Sequence, residues 1–507
     1  MNSNRKTIGL IALLCSMCVS TICFAAESDL RLAEASQRGD RAAMQTLLKQ
    51  GLGVNAVNAA LPDGTTALHW AVRADDVEIA EMLIKARASV AAVDRYGVTP
   101  LSLASLNANA GMIDKLIRAG ADPNSANPYG ETSLMTAART GSVEAVRVLL
   151  DHGAMVEAKE SVRGQTALMW AVVENHPDVV RFLHQRGANI NATSSVFVPP
   201  PIRPDRVGQA AGAGITRQKA QSAPQGKMTP LLYAARDGNL EMVRLLLQLG
   251  ADVKASDANG TSALVIALIN GHTRVAKFLL ENGADPNATD GFGRAALFTA
   301  VDLQNLGARA RTETTELMGL IEELLVRDAK PNAQTTGVVP VRGWQQLDGS
   351  WVNFTGQTPF LRAALSGDVT VMRLLLKYKA DPNIPTASGT TPLMAAAGVN
   401  WVANRTFTHS PQESLEAVRL CAELGNDANA VNSMGFTAMH GAANRGSNDI
   451  IKFLAEKGAK LDAKDAEGRT PRDFAEGVFL AVIPPVRKPD TIALLGELIG
   501  RSKTAAR

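Results

Sequence analysis

A 507-residue chain exceeds what one compact core holds, so it folds as several domains or as a repeat array. Its 46% apolar content excludes wholesale disorder. A formal net charge of +3 gives no global pull toward nucleic acid or acidic membranes, and no nucleic-acid partner is expected.

The chain opens "MNSNRKTIGLIALLCSMCVSTICFAAES". Two cations, Arg5 and Lys6, precede an apolar run from Ile8 to Phe24, and small residues follow. This is the layout of a secretory signal peptide over residues 1–26, with cleavage near Ala25 or Ala26 and a periplasmic or secreted product. Removing it leaves a charge of about +1. The alternative is an uncleaved anchor, since the run is near the lower length limit for a span; membrane contact is expected only in that case. Cys15, Cys18 and Cys23 lie in this segment, so the mature chain keeps Cys421 and has no internal disulfide. Cys421 takes the place that leucine fills in the sister stretch "VRLLLQLG" and reads as a small buried apolar residue.

Beyond the leader a phrase recurs: "GTTAL", "GVTPL", "GETSL", "GQTAL", "TPLL", "GTSAL", "GRAAL", "GQTPF", "GTTPL", "GFTAM" and "GRTP". The Thr-like marks are Thr66, Thr99, Thr132, Thr166, Thr229, Ser262, Ala295, Thr358, Thr391, Thr437 and Thr470. Their spacing is 33 or 34 residues except for steps of 63, 63 and 46, so a ruler of 33 is interrupted by additions. Thr fits a helix N-cap and Pro the first helical position, where its missing N–H costs nothing. A short helix such as "PLLYAAR", a turn, and an amphipathic helix such as "LEMVRLLLQLG" complete each unit. Gly then suits the left-handed helix stop, and an extended "x-x-N-A" finger leads to the next mark.

On the strength of "DGTTALHWAV", "YGVTPL" and "NGHTRVAKFLLENGADPNATD", the chain resembles the ankyrin repeat over residues from about 30 to about 500. The resemblance implies an all-α solenoid of about twelve helix-turn-helix units, spanning 27–507, whose first and last units act as caps. The last unit is expected to fray.

Chemistry is scarce. His69 and His440 sit where ankyrin histidines brace the neighbouring turn, His176 and His272 lie in interhelical turns, and His152 and His184 lie near the ends of second helices. His409 alone falls outside the ruler, with no companion at ligand spacing. There is no phosphate loop, nucleophile elbow or paired acid and base, so no catalytic residue, metal or cofactor is expected.

The ruler breaks near 194–223, 305–316, 335–354 and 399–411. The first and third additions lengthen fingers; the second and fourth lengthen interhelical turns. Arg203 and Arg206 make the Pro-rich first addition locally basic, and it reads as a partly polyproline II excursion. In "GWQQLDGSWVNF" Asp348-Gly349 signals a tight hairpin turn that puts Trp344 and Trp351 on one face and Leu347, Val352 and Phe354 on the other. Trp401 and Phe407 decorate the fourth addition, whereas Trp70 and Trp170 occupy equivalent framework places.

These features point to an exported scaffold that binds a protein or peptide through fingers, first helices and aromatic additions. Candidate contacts are Trp344, Trp351, Phe354, Trp401, Phe407, Arg203 and Arg206. The alternative is an enzyme or small-ligand protein with a pocket formed where the additions fold over the groove, a reading that a deep polar cavity holding His409 beside carboxylates would favour.

Overall fold

The computed structural model describes residues 29–200, 223–305, 314–337, 339, 352–402, 406, 408–480 and 485–505. Among them the chain is a succession of twelve helix pairs. The marks begin the first helices as expected. Thr99, Thr229, Thr358 and Thr391 hold extended backbone and accept the N–H of the third helical residue, with Pro100, Pro230, Pro359 and Pro392 following directly. Each such cap is worth about 1 kcal/mol. Ala295, lacking the hydroxyl, makes no side-chain cap bond. Ordinary second helices run nine residues and bury a single stripe, as Met242, Val243, Leu245 and Leu246 do in Leu240–Gln248.

Two compact units are present. The first, residues 29–162 and 166–188, holds the five helix pairs from Arg31–Gln37 to Pro177–Gln185. Leu68, Leu101 and Leu134 of its first helices and Leu83, Ile113 and Leu116 of its second helices are wholly buried. The second unit, residues 163–165 and 189–507, holds the seven pairs from Pro230–Asp237 to Pro489–Ala505, and every addition to the ruler lies in it. Its core includes Leu264, Leu279 and Phe360, and the Phe436 and Phe474 rings meet edge to face at 5.5 Å.

Successive fingers are stitched by backbone bonds at their tips. The N–H of Arg95 donates to Asp63 O, Ser161 to Tyr129 O, Gly291 to Asn259 O, Ser433 to Ser388 O and Ala466 to Met434 O. Pro128 occupies the donor position after Tyr96 and has no N–H to give. At the finger base the Asn of "x-x-N-A" ties its repeat to the next by two bonds, donating one and accepting the other. Asn124 Nδ2 donates to Gly153 O while its Oδ1 accepts from Met155 N, and Asn287 and Asn429 do the same toward Asp328/Lys330 and Gly458/Lys460.

The finger additions spring from the tips and leave this stitching intact. Ser195 N donates to Arg163 O, and Ala258 N to Gly226 O; between them Val196–Phe197 pairs antiparallel with Gln225–Gly226. This two-stranded ladder is an element that an all-α reading does not contain. Likewise Thr336 N donates to Phe292 O, Ala387 N to Thr355 O, and Thr335 N to Gln357 O closes the neck. Residues 201–222 and 340–351, including the Asp348-Gly349 turn and the Pro-rich excursion, lie outside the described residues.

The interhelical additions differ from expectation. Thr314–Val326 and Pro411–Glu423 each run thirteen residues against the usual nine, so part of each addition extends the second helix rather than the turn. A capping box starts the latter: Ser410 Oγ accepts from Glu413 N, and Glu413 Oε2 accepts from Ser410 N. The C-terminal repeat is also no frayed end. Pro489–Ala505 runs seventeen residues and buries Thr491 and Leu495.

Candidate functional site

The histidines are structural braces. Thr66 N donates to His69 Nδ1 (3.2 Å), which leaves the ring proton on Nε2 to donate to Val98 O of the next repeat (3.1 Å). His440 repeats the arrangement with Thr437 N and Arg469 O. Burial holds both imidazoles below their ordinary pKa, as a neutral brace requires. His176 and His272 Nε2 lie 2.9 and 3.0 Å from Arg139 O and Arg236 O of the preceding turn. Cys421 is fully buried, and burial pushes its thiol far above the usual range, so it is inert.

His409 is less isolated than its sequence neighbourhood suggests. Its Nε2 lies 3.8 Å from Asp368 Oδ2 and its Nδ1 3.9 Å from Glu413 Oε1, and its backbone N–H donates to Ser366 O. Asp368, forty-one positions upstream, arrives by repeat stacking, which spacing along the chain cannot reveal. Its own Oδ1 caps Val369–Lys377 through Val371 N, so the carboxylate serves the framework. Among the described residues no cluster of His, Cys, Asp or Glu could hold a metal ion.

Two consecutive fingers of the first unit present large side chains to solvent. Tyr96 is 68% and Tyr129 is 61% exposed. Each is held at its base, because the N–H of Tyr96 donates to Asp94 Oδ1 and that of Tyr129 to Asn127 Oδ1. Val162 is exposed on the next finger. An exposed phenol on a fixed backbone offers apolar area and a hydroxyl at small entropic cost. Both tyrosines lie three residues before a mark, at Thr99 and Thr132, so their place in the ruler is the signal that marks them, whereas aromatics outside the ruler do not point to them.

Of the residues expected to contact a partner, Trp344, Trp351, Phe407, Arg203 and Arg206 lie outside the described residues. Phe354 is a correction: it is only 3% exposed, and Val352 beside it is buried too, so this face of the addition packs into the protein.

Trp401 is half-buried and walls a cavity of about 160 Å³ with Asn444, Arg445, Phe474, Val486 and Lys488. Close helix approach builds this place. Gly398 and Gly441 face each other where a Cβ on Gly398 would meet Gly441 O at 2.8 Å, which draws Gly398 and Val399 against Ala438–Arg445. Asn444 Nδ2 reaches Trp401 O at 3.5 Å, and the Arg445 guanidinium lies 5.6 Å from the Trp401 ring centre. The stem of Lys488 crosses Gly446, whose left-handed φ of 76° ends that helix; a Cβ there would meet Lys488 Cδ at 2.9 Å.

Comparison with known families agrees with this architecture. A model described as ankyrin repeats (3 copies) matches residues 32–125, 102–194, 209–290 and 408–475, and an ankyrin-repeat model matches 355–384, together more than half of the chain. Neurogenic locus notch homolog protein 1 of Danio rerio is 38% identical over 129 residues, 25% of this chain. The same protein of Homo sapiens and the human notch homolog protein 2 are each 37% identical over 129 residues, also 25% of the chain. The match spans only 5% of the length of these relatives. The crystal structure of the ankyrin repeat domain of Bcl-3, a member of the IkappaB protein family, is 27% identical, with a TM-score of 0.38, covering 51% of this chain and all of that one.

Proposed function

Because the chain belongs to the ankyrin-repeat family, we propose that it is an exported interaction scaffold that holds a protein or peptide partner on the finger tips of its first unit. Ankyrin repeats generally mediate protein–protein interaction, and proteins built from them are typically scaffolds rather than enzymes. The observation that carries the finer reading is the pair Tyr96 and Tyr129, anchored at the backbone and exposed along the side chain on adjacent fingers. Tyrosine is enriched at binding hot spots because it buries much area with few rotors to freeze. Export rests on the cationic, apolar and small-residue order of residues 1–26. Trp344 and Trp351 are proposed as an additional contact on their aromatic pairing alone.

Affinity capture from host periplasmic extract tests this reading. A partner retained by the wild-type chain is expected to be lost, at least tenfold in recovery, by a Tyr96→Ala/Tyr129→Ala double variant with unchanged thermal unfolding. Equal recovery by the two proteins removes the finger tips from the function. The mass of the purified mature chain checks export separately, since a retained Met1 contradicts cleavage.

A further inference from the structure

We propose that the cavity beside Trp401 is a carboxylate-binding pocket, in which Arg445 and Lys488 hold the anion while Trp401, Phe474 and Val486 enclose an apolar group attached to it. The first support is a contrast between sheltered cations. Arg294 pairs with Asp290 at 2.7 Å, Arg362 with Asp302 at 2.7 Å and Arg469 with Asp465 at 2.7 Å. Among the described residues, neither Arg445 nor Lys488 forms an ion pair, although both are half-buried and line one cavity. Burial lowers the pKa of each, and no carboxylate raises either one again. Sequence segments 403–405 and 481–484 contain no Asp or Glu. Withdrawing a charge from water is costly unless an opposite charge joins it, so two half-buried cations lining one cavity without a carboxylate partner favour an incoming anion.

The second support is donor capacity. The Arg445 Nη2 donates to Ser414 Oγ (2.8 Å) and Lys488 Nζ to Val486 O (2.8 Å). A guanidinium carries five N–H groups and an ammonium three, so both have hydrogens beyond these bonds. The third is size and lining. A cavity of about 150 Å³ lined by apolar side chains accommodates benzene, and this one is of similar volume. Phe474 is fully buried at its floor, and Val486, 57% exposed, stands at its edge. A mainly apolar lining with two aromatic rings suits a monocarboxylate carrying a compact apolar substituent better than a multiply charged phosphate, which has no apolar group to place there. Such a ligand is either a free organic acid or the C-terminus of a chain ending in an apolar residue. This pocket shares no residue with the finger tips, so the two readings stand or fall separately.

Calorimetric titration of the full mature chain with phenylacetate is the test, with phenylacetamide as its neutral twin. Phenylacetate is expected to bind, the amide to bind at least tenfold more weakly, and Lys488→Gln to weaken phenylacetate by tenfold or more with its melting temperature unchanged. Arg445→Gln should act in the same direction; if that variant does not fold, Lys488→Gln decides the matter by itself. A peptide ending in free Phe, compared with its C-terminal amide, separates the sources. Tighter binding of the free peptide than of phenylacetate supports a chain terminus, and binding of phenylacetate alone supports a small acid. Equal binding of acid and amide, no effect of Lys488→Gln, or no binding of either acid probe overturns the proposal.

Discussion

The first unit keeps a spacing of 33 or 34 residues, while the second bears every longer addition, and both use the same tip-to-tip backbone bonds. In the first, Tyr96 and Tyr129 stand exposed at finger tips without lengthening a finger, which is where the proposed contact falls. In the second, chain is added where the framework does not have to give. Val196–Phe197 and Gln225–Gly226 close the neck of one addition, and Thr335–Gln357 closes another. The lesson is that a solenoid tolerates insertion at a tip because each neighbour bond has its own residue on either side of the neck.

Breaking the neck should have the largest effect. Gly226 has φ 94°, and a Cβ there would overlap the Ser195 carbonyl oxygen, so Gly226→Ala is expected to cost more than about 2 kcal/mol in urea unfolding. Gly51 in the first unit, with φ 71° and open space around it, should cost only about 1 kcal/mol on the same change.

The braces come next, and they exist in both units. His69→Ala or His440→Ala should each cost about 1–3 kcal/mol at neutral pH, by leaving buried partners unsatisfied. Both folded pKa values are lowered, so the unfolded chain takes up protons first as acid is added. The stabilisation is therefore complete above the ordinary imidazole pKa near 6.5 and declines as pH falls through it toward the folded value. Urea midpoints of the wild type should drop over that window, and less steeply in the double alanine variant.

Smaller still is removal of an addition. Replacing residues 201–222 by a short Gly-Ser turn should change stability by less than about 1 kcal/mol, because the ladder below already closes the loop. A larger loss would show that the addition packs on the repeats. The smallest stability effect belongs to Tyr96→Ala and Tyr129→Ala, within about 0.5 kcal/mol, which leaves partner capture as their readout.

Recurrence of Thr, Pro, Gly and Asn at one interval was enough to determine the helix pairs, their caps and the number of repeats, because each of those residues acts on backbone within a few positions of itself. The first helix of each repeat, the role of His69 and the inert thiol of Cys421 were legible for the same reason. The Ser410–Glu413 box is written in the sequence, yet the 399–411 addition reads there as an interhelical turn, so the longer helix at Pro411–Glu423 emerged only in the structure. Tertiary structure alone decided that Phe354 is core, that Asp368 comes beside His409, and that Trp401, Arg445 and Lys488 share one cavity. Those meetings join residues tens of positions apart through stacking, and a periodic pattern states that repeats stack without stating which irregular side chains the stacking brings face to face.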